Sequence, residues 1–380
     1  MSTPAAPLSA SRLSRIAQAR QLALHNTAPL PGGLVEPWIA RSWQRCLSQG
    51  QRPTDRVSFE AVSAQAMRQA SEANHTLVQA ARPILKQLGR ALADTRYFAI
   101  LTNHAGVVID VDGPIDRSDQ RAAVITRVGV DLSEHSVGTT AISAALHEQH
   151  AVWLHRGEHF FNDTSVYSCA GAPLFGPDGR CVGMLDLTGI EATERPELRH
   201  LATHSARSIE NALVLQRPHQ LLLRLNWSGL PLGDDSDALI TLDADGHIRA
   251  ANHAARQLLP QLAMAASMPI HCRDIFALPF DMLFDAARRG SDPIEAPLWS
   301  GLRLQVRALL AGRNTSPLSA LRWPTAPLAA DPASRPLREV ETSLIRKAVE
   351  DARGNVAQAA RALGISRATV YRKLGSGKRG

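Results

Sequence analysis

The spacing of apolar residues predicts helices in the first fifth of the chain. One loose stripe at helical spacing consists of Leu13, Ile16, Ala17, Leu22 and Leu24. A second stripe runs through residues 39–47, beside two tryptophans, and Pro53 separates both stripes from later elements because proline interrupts a helix. Residues 1–75 are therefore predicted to form an N-terminal helical region.

Between residues 76 and 217 the pattern changes to short apolar runs that are typical of strands. After one helix, the run YFAILTNHAGVVIDVDG at 97–113 predicts a hairpin of two strands. A helix of small residues follows at 131–146, and then come three further strands and a long helix over 196–216. This order predicts an antiparallel sheet with helices against one face, within an α+β multidomain fold.

A second, smaller α/β unit is predicted at residues 236–310. The run DALITLDADGHIRAANHAARQLL predicts a strand, a turn, a strand and a helix capped by Asn252. LRLQVRAL at 302–309 alternates as a strand should. The stretch before this unit, residues 221–231, is interpreted as a linker. Residues 311–336 contain five prolines and are predicted to form an extended linker.

The last segment, residues 337–380, has the pattern of a helix-turn-helix. Asn355 is placed to cap a short helix, Gly364 can take the left-handed conformation that ends it, and Ser366 can cap the next. The second helix, over 367–374, carries basic side chains outward, as suits a helix in the DNA major groove. From the pattern alone, an ordinary surface pair of helices with a basic face is the alternative.

The distribution of charge favours contact with nucleic acid. The chain has a net charge of +7, and residues 335–380 carry 11 basic and 4 acidic side chains. Residues 1–334 hold 31 of each and are neutral overall. Nearly all of the attraction for a polyanion therefore lies in the C-terminal segment.

Composition excludes several other classes of protein. The 380 residues are 44% hydrophobic and 20% charged, which suits about two to four globular domains. No apolar run reaches the roughly 18 residues of a membrane span, and the N-terminal segment lacks a signal-peptide core, so we expect a cytoplasmic protein. Cys46, Cys169, Cys181 and Cys272 form no CxxC pair, which predicts free thiols.

Residues 337–374 resemble the Fis-type DNA-binding domain that ends bacterial sigma-54 enhancer-binding regulators. The resemblance rests on GN at 354–355, AA at 359–360 and LGISRATVYRKL at 363–374. It implies an all-α helix-turn-helix and a homodimer formed through the helix at 337–352. The two-fold symmetry of such a dimer predicts an inverted repeat in double-stranded DNA, with half-sites about one helical turn apart.

The candidate DNA-contacting residues lie on the two predicted helices of this segment. Six side chains are expected to contact bases and phosphates: Ser366, Arg367, Thr369, Tyr371, Arg372 and Lys373. Arg353 and Asn355 are expected to bind the DNA backbone. The family resemblance implies that positions 366, 367, 369 and 372 face DNA. Tyr371 stands where the family can have a basic residue.

Residues 35–216 resemble the N-terminal region of regulators similar to the acetoin-catabolism activator, including its GAF sensor domain, expected here at 76–217. The segments that carry the resemblance are SWQRCLSQG at 42–50, GTTA at 138–141, EHF at 158–160 and APLFGPDGRCVGMLDLTG at 172–189. From the pattern alone, residues 42–50 form a packed helix that ends at Gly50. The resemblance implies a small-molecule effector, and the family usually has Asn where Thr140 stands.

The candidate ligand-binding residues belong to loops and strand ends of the sensor. They are Thr140, Trp153, His159, Phe160, Tyr167 and Cys169. For Trp153 and Cys169, packing in the core is the alternative role. His147, His150, His155 and His159 lack a clear third ligand at metal-binding spacing, so no metal is predicted.

Residues 236–310 resemble the opening and a late strand of a PAS domain. The resemblance implies a structural copy of that fold, and no cofactor is predicted for the chain.

The segment between sensor and DNA-binding domain lacks the parts of an ATPase. Sigma-54 activators normally carry an ATPase there, whereas residues 311–336 form a proline-rich stretch and GxxxxGK[ST] is absent from the chain. We therefore expect a ligand-responsive, sequence-specific transcription regulator, not an enzyme, that occupies DNA or contacts RNA polymerase or another regulator. The alternatives are a thiol redox enzyme or sensor using Cys169 or Cys181, and an architectural nucleoid protein.

The missing phosphate-binding loop predicts that the purified chain does not hydrolyse ATP. Release of phosphate from ATP, measured with and without DNA, should stay at the buffer background. Turnover above background that scales with protein concentration and survives repurification would contradict this expectation.

Overall fold

The described part of the chain is an α+β structure with two antiparallel sheets. The computed structural model describes residues 8–25, 33–59, 62–264, 270–290 and 292–312, together with Val356 and Arg367. Each sheet has five strands. The predicted α+β class is confirmed.

The first sheet consists of the strands that the apolar runs predicted. They are β1 (Tyr97–Asn103), β2 (Val108–Asp112), β3 (Val152–His155), β4 (Tyr167–Phe175) and β5 (Cys181–Ile190). Their order across the sheet is β2-β1-β5-β4-β3, and every neighbouring pair is antiparallel. Gly106 lies in the turn between β1 and β2 with a φ of 83°, a left-handed conformation that favours glycine.

Helices precede, interrupt and follow this sheet. They are α1 (Leu8–His25), α2 (Pro37–Ser48), α3 (Ala64–Ala73), α4 (His75–Ala91), α5 (Gln120–Ile125), α6 (Glu134–Val137), α7 (Ala141–Glu148) and α8 (Leu198–Leu215). Helix α2 ends two residues before Gly50, close to the predicted end.

Helices cover both faces of the first sheet, so the expectation of helices against one face is wrong. On one side α4 and α8 pack against the strands. On the other side Phe98 and Ile100 of β1 join Ile142 of α7 and Trp43 of α2 in one buried cluster. Strand β4 is buried along its whole length. Burial on both faces explains why the central strands are nearly continuous apolar runs.

The second sheet contains two strands that the sequence pattern did not predict, namely Leu221–Trp227 and Ile294–Pro297. Its strands are β6 (Leu221–Trp227), β7 (Ala238–Leu242), β8 (Ile248–Ala251), β9 (Ile294–Pro297) and β10 (Arg303–Leu310), and its helices are α9 (His253–Leu258), α10 (Gln261–Met264) and α11 (Asp281–Arg289). The order is β8-β7-β6-β10-β9. Asn252 caps α9 as predicted, because its side chain accepts a hydrogen bond from the Ala255 N–H.

Strand β6 overturns the interpretation of residues 221–231 as a linker. It is the central strand, paired with β7 on one side and β10 on the other. Arg224 interrupts the run LLLRL and hides its strand character, but its guanidinium lies 2.9 Å from the carboxylate of buried Asp237. A buried charge is tolerated when it is paired in this way.

Helix α8 lies between the two sheets. Val214 of α8 joins Leu222 of β6 and Leu239 of β7 in a small buried cluster. The opposite side of α8 packs on β4. The second sheet is therefore attached to the first through this helix.

The first two helices hold the loops that follow α6 and β3. Arg20 of α1 donates hydrogen bonds to the carbonyl oxygens of Gly157, His159 and Phe160, at 2.5 to 3.0 Å. Arg12 binds the carboxylates of Glu158 and Glu194. Two guanidinium groups of α1 thus satisfy backbone carbonyls and the Glu158 carboxylate in the loop after β3, and the Glu194 carboxylate in the segment after β5.

The motif SWQRC contributes the corresponding contacts from α2. Ser42 Oγ lies 2.7 Å from both Glu134 Oε2 and Thr139 Oγ1. Arg45 binds both carboxylate oxygens of Glu134, at 2.7 and 2.8 Å. Trp43, which is fully buried, donates its indole N–H to the Glu158 carbonyl. The predicted packing role of this helix is confirmed. Its polar residues also form hydrogen bonds to the segment around α6 and to the loop after β3.

Two further findings concern the rest of the chain. Within the described ranges, no helix has the length and apolar character that crossing a membrane would require. In the C-terminal segment Val356 and Arg367 are helical, and Arg367 is exposed. The other candidate DNA-contacting residues lie outside the described residues, as does the segment from 313 to 336.

Replacing Arg45 with alanine should destabilise the fold by about 1–3 kcal/mol, because Glu134 would lose both charge-assisted hydrogen bonds. The matched control is Arg41→Ala on the same helix, where a 54% exposed side chain pairs with Glu148. The control should change stability by less than about 0.5 kcal/mol. Thermal unfolding of the full chain measures both, and equal effects would contradict the role given to Arg45.

Candidate ligand-binding site

A small, partly open cavity lies on the face of the first sheet that α7 covers. Its volume is about 30 Å3, roughly twice what one buried water requires. Its wall consists of Phe59, Ile100, Ile125, Leu132, Val137, Thr140, Ile142, His159, Thr164, Tyr167, Cys169, Asp186 and Thr188. The surface that faces the cavity is almost wholly apolar, although several of the lining residues are polar.

Asp186 on β5 is the most unusual of these polar groups. It is fully buried, and its Oδ2 accepts a hydrogen bond from Thr188 Oγ1. Its Oδ1 has no hydrogen-bond partner among the described residues. Burial raises the pKa of Asp186 to about 7, because the charged form loses its hydration. Near neutral pH the protonated form of this carboxyl group is therefore favoured far more than for a carboxyl group in water.

His159 supplies a hydrogen-bond acceptor to the same wall. Its Nδ1 lies 2.9 Å from the Arg156 carbonyl, and because a carbonyl only accepts, Nδ1 carries the proton. Burial lowers the pKa of His159 to about 4, so the ring is neutral at physiological pH. Nε2 is then an acceptor, and within the described residues it has no partner.

Four of the six predicted ligand-binding residues line the cavity. They are Thr140, His159, Tyr167 and Cys169. Thr140 also caps α7, since its Oγ1 accepts a hydrogen bond from the Ser143 N–H at 3.2 Å. The threonine that replaces the family's usual asparagine thus performs a capping role that an asparagine side chain could also perform.

Trp153 and Phe160 lie elsewhere. Trp153 lines a separate groove with Trp38 and His200. Phe160 is fully buried and packs edge to face against Phe161, with ring centroids 5.0 Å apart. Trp153 and Phe160 therefore do not line the cavity.

Asp186 and Thr188 are not among the ligand-binding residues that the sequence predicted. Their signal was available in the run MLDLTG, where a carboxylate interrupts an apolar strand. Burial of a carboxylate is costly unless it has a structural or functional partner. A charged residue inside such a strand was therefore a candidate for a site.

The four cysteines of the described residues are free thiols, and three of them are buried. Burial raises the pKa of Cys169 well above its usual range and that of Cys46 to about 11, which disfavours the reactive thiolate. Among the described residues no group of three or more His, Cys, Asp or Glu side chains is arranged to hold a metal.

The raised pKa of Asp186 predicts a pH-dependent effect of Asp186→Asn. The folded state binds the proton more tightly than the unfolded state, so the stabilising effect of the neutral acid is complete below pH 4 and is lost as the pH rises through 7. The variant should therefore gain stability relative to the parent between pH 5 and pH 8, by roughly 2–4 kcal/mol.

Thermal unfolding at the two pH values measures this gain. Asp178→Asn, in the exposed turn between β4 and β5, is the matched control and should change stability little at either pH. A difference between the Asp186 variant and the parent that does not change with pH would refute the prediction.

Two family models match this sequence. The model described as "Bacterial regulatory protein, Fis family" matches residues 336–376, and the model described as "MimR, N-terminal domain" matches residues 14–211. The first match confirms the predicted Fis-type segment. The second covers most of α1, all of α2, the first sheet and most of α8.

Curated relatives are similar over half to two thirds of this chain. The acetoin catabolism regulatory protein of Cupriavidus necator is 28% identical over 256 residues, which are 65% of this chain and 37% of that protein. The acetoin dehydrogenase operon transcriptional activator AcoR of Bacillus subtilis is 27% identical, over 58% of this chain and 36% of its own length.

The propane 2-monooxygenase operon transcriptional activator MimR of Mycolicibacterium smegmatis is 28% identical over 194 residues, which are 50% of this chain and 31% of that protein. The chain thus spans about a third of the length of these relatives. The N-terminal family match, in contrast, extends over more than half of the 380 residues. The chain therefore belongs to the MimR N-terminal domain family.

Proposed function

We propose that this chain is a ligand-responsive, sequence-specific DNA-binding transcription regulator that works without ATP hydrolysis. The observation that carries the proposal is the presence in one chain of a Fis-family segment at 336–376 and a sensor region with a small, largely apolar cavity. The Fis-family segment also contains most of the basic residues responsible for the chain's net charge of +7. The three curated relatives described above carry names of transcriptional regulators or activators.

The DNA-binding end is proposed to act as a homodimer. Arg367 is helical and exposed, as a residue that contacts DNA must be. Two copies of the second helix, related by two-fold symmetry, would enter successive major grooves at an inverted repeat. RNA polymerase or another regulator is proposed as the further partner through which DNA occupancy changes transcription.

The sensor end is proposed to be a GAF domain that holds a small-molecule effector in its cavity. The support is the antiparallel sheet covered on both faces, with the cavity between the sheet and α7. Pockets that combine an apolar wall with a few convergent polar groups are the usual form of a small-molecule site. The second sheet is proposed to be a PAS-like domain that binds no cofactor.

Strand β4 offers a physical connection between the cavity and the second sheet. It begins in the cavity wall and ends at Phe175, whose N–H donates to Glu210 of α8 at 2.9 Å. The Phe175 ring stacks on His253 of α9, with centroids 4.1 Å apart. A ligand that displaced β4 would therefore also displace α8 and α9, which contact its end. Packed cores change between discrete arrangements and do not deform continuously.

Buried side-chain amides extend this connection between α8 and the second sheet. Asn252, the cap of α9, donates to the side-chain oxygen of Asn211 on α8 at 2.7 Å, and Asn211 donates to the Asp235 carbonyl. Because an unpaired buried amide is costly, these groups resist independent movement. We propose that the two sheets respond to the effector as one body through this network.

The proposal excludes ATP hydrolysis because the segment between the second sheet and the Fis-family match is too short for an ATPase domain. Between Leu310, the last residue of β10, and the start of the Fis-family match at 336 lie 25 residues. Domains of globular proteins usually need about 50 residues or more. A regulator of this design would act through DNA occupancy and protein contacts.

Arg367→Ala should abolish selective DNA binding and leave the fold intact, because Arg367 is an exposed helical residue. The measurement is footprinting on a site selected from random-sequence DNA with the full chain. Loss of a base-contacting arginine typically costs about 1–3 kcal/mol in discrimination.

The control for this variant is Arg180→Ala, which removes one positive charge from an 83% exposed position in the sensor. The control variant should protect the same bases as the parent. Its unfolding temperature should equal that of the Arg367 variant. An Arg367 variant that protects the same bases with parental affinity would defeat the assignment.

A further inference from the structure

The junction between the two sheets, formed by residues 175–180, α8 and α9, contains a buried carboxylic acid. Glu210 of α8 is only 4% exposed. Its Oε1 accepts a hydrogen bond from the N–H of Phe175, the last residue of β4, at 2.9 Å. The backbone N–H of His253, the first residue of α9, also interacts with this carboxyl group. One side chain of α8 therefore connects the end of a strand in the first sheet to a helix of the second.

Glu210 lacks a paired positive charge. Among the described residues it has no ion-pair partner within 4.0 Å, and Arg207, an exposed residue one turn earlier on α8, acts on it through its charge at longer range. On α9, burial lowers the pKa of His253 and keeps its ring neutral, and Arg256 donates its hydrogen bonds to backbone carbonyls. On β5, burial raises the pKa of the nearby Cys181 thiol, so this group is uncharged too.

A buried carboxylate without a counter-ion is costly, because two N–H groups do not replace its full hydration. Burial accordingly raises the pKa of Glu210 from its ordinary value of 4.5 to about 8. The closed junction therefore binds a proton more tightly than a hydrated glutamic acid does. The contribution of this proton to closure is complete below about pH 4.5 and is lost as the pH rises through about 8.

The junction can open without disruption of either sheet's core. Each sheet has a large apolar cluster of its own. The cluster shared by α8 and the second sheet has four buried members: Val214, Leu222, Leu239 and Ala250. At the hairpin the contacts are largely polar, because Arg256 and the Ala251 N–H both donate to the Pro177 carbonyl, at 2.7 and 3.2 Å. Water can replace such hydrogen bonds, so local opening here costs less than unfolding.

We propose that the proton held by Glu210 keeps the junction closed, and that its release accompanies an opening in which residues 175–180 and α9 separate and water reaches the carboxylate. The junction is thus a pH-sensitive link between the two sheets. In the open form a displacement of β4 no longer displaces α9. The inference goes beyond the proposed function, because it concerns the contact between the sheets and requires neither an effector nor DNA.

Amide hydrogen exchange of the full chain, followed by mass spectrometry from pH 5.5 to pH 9, measures this opening. The peptides that matter contain the N–H groups of Phe175 and His253, and a peptide around Leu223, in the centre of the second sheet, is the internal reference. After correction for the intrinsic pH dependence of exchange, protection of the first two should fall about a hundredfold between pH 5.5 and pH 7.5, since opening releases one proton. It should change little above about pH 8, where the closed form has lost the proton as well.

Two variants separate the proton from the packing of the side chain. Glu210→Gln keeps the shape and an acceptor oxygen for the Phe175 N–H but cannot ionise, so protection of both amides should be independent of pH. Arg207→Gln removes the nearby positive charge and should raise the pH at which protection levels off. Glu197→Gln, at a 54% exposed position just before α8, is the matched control and should behave as the parent does.

Corrected protection that does not change between pH 5.5 and pH 7.5 in the parent would overturn the inference. A Glu210→Gln variant that still loses protection as the pH rises would do the same, because another group would then control the opening. If that variant does not fold, the exposed Arg207→Gln variant still decides, since an unchanged pH of levelling off contradicts control by the charge of Glu210. An equal loss of protection in the Leu223 peptide would indicate global unfolding in place of local opening.

Discussion

Burial of both faces of the first sheet is the constraint on which the candidate site depends. Helices α4 and α8 cover one face, and α7 with the N-terminal helices covers the other. A polar side chain on a central strand therefore cannot reach bulk water. Asp186 has one carboxyl oxygen satisfied by Thr188, and its pKa is raised to about 7 by burial. Burial of a carboxyl group whose hydrogen bonds are only partly satisfied is costly, so the fold must compensate for it elsewhere.

The N-terminal helices have a larger part in the site than their distance along the chain suggests. Arg20 binds the backbone carbonyl of His159, and Arg45 binds Glu134 in the helix before Thr139 and Thr140. These contacts join residues about 90 to 140 positions apart. They fix loops whose polar groups would otherwise hydrogen-bond to water, and such preorganisation lowers the entropy lost when a ligand binds.

Helix α8 has the corresponding role between the two sheets. It contributes apolar residues to the first sheet and to the small cluster with β6 and β7. It also contributes Glu210, whose pKa burial raises to about 8 and whose carboxyl group accepts the Phe175 N–H. Because this one helix packs against both sheets, a movement of one sheet would displace the other. In the proposed regulator, this helix is the part of the sensor through which occupancy of the cavity becomes a change elsewhere in the chain.

The sequence by itself determined the elements with strong local signals. The Asn103–Gly106 turn, the cap at Asn252 and the Fis-type pattern after Gly354 could be predicted because caps, turns and helical periodicity depend on neighbours within a few residues. Tertiary structure decided what depends on distant partners. Strand β6 was missed because the pairing of Arg224 with Asp237 is invisible in the local pattern. Asp186 was missed, and Phe160 and Trp153 were expected beside the ligand, because the face that a side chain meets is set by long-range packing, which no local spacing encodes.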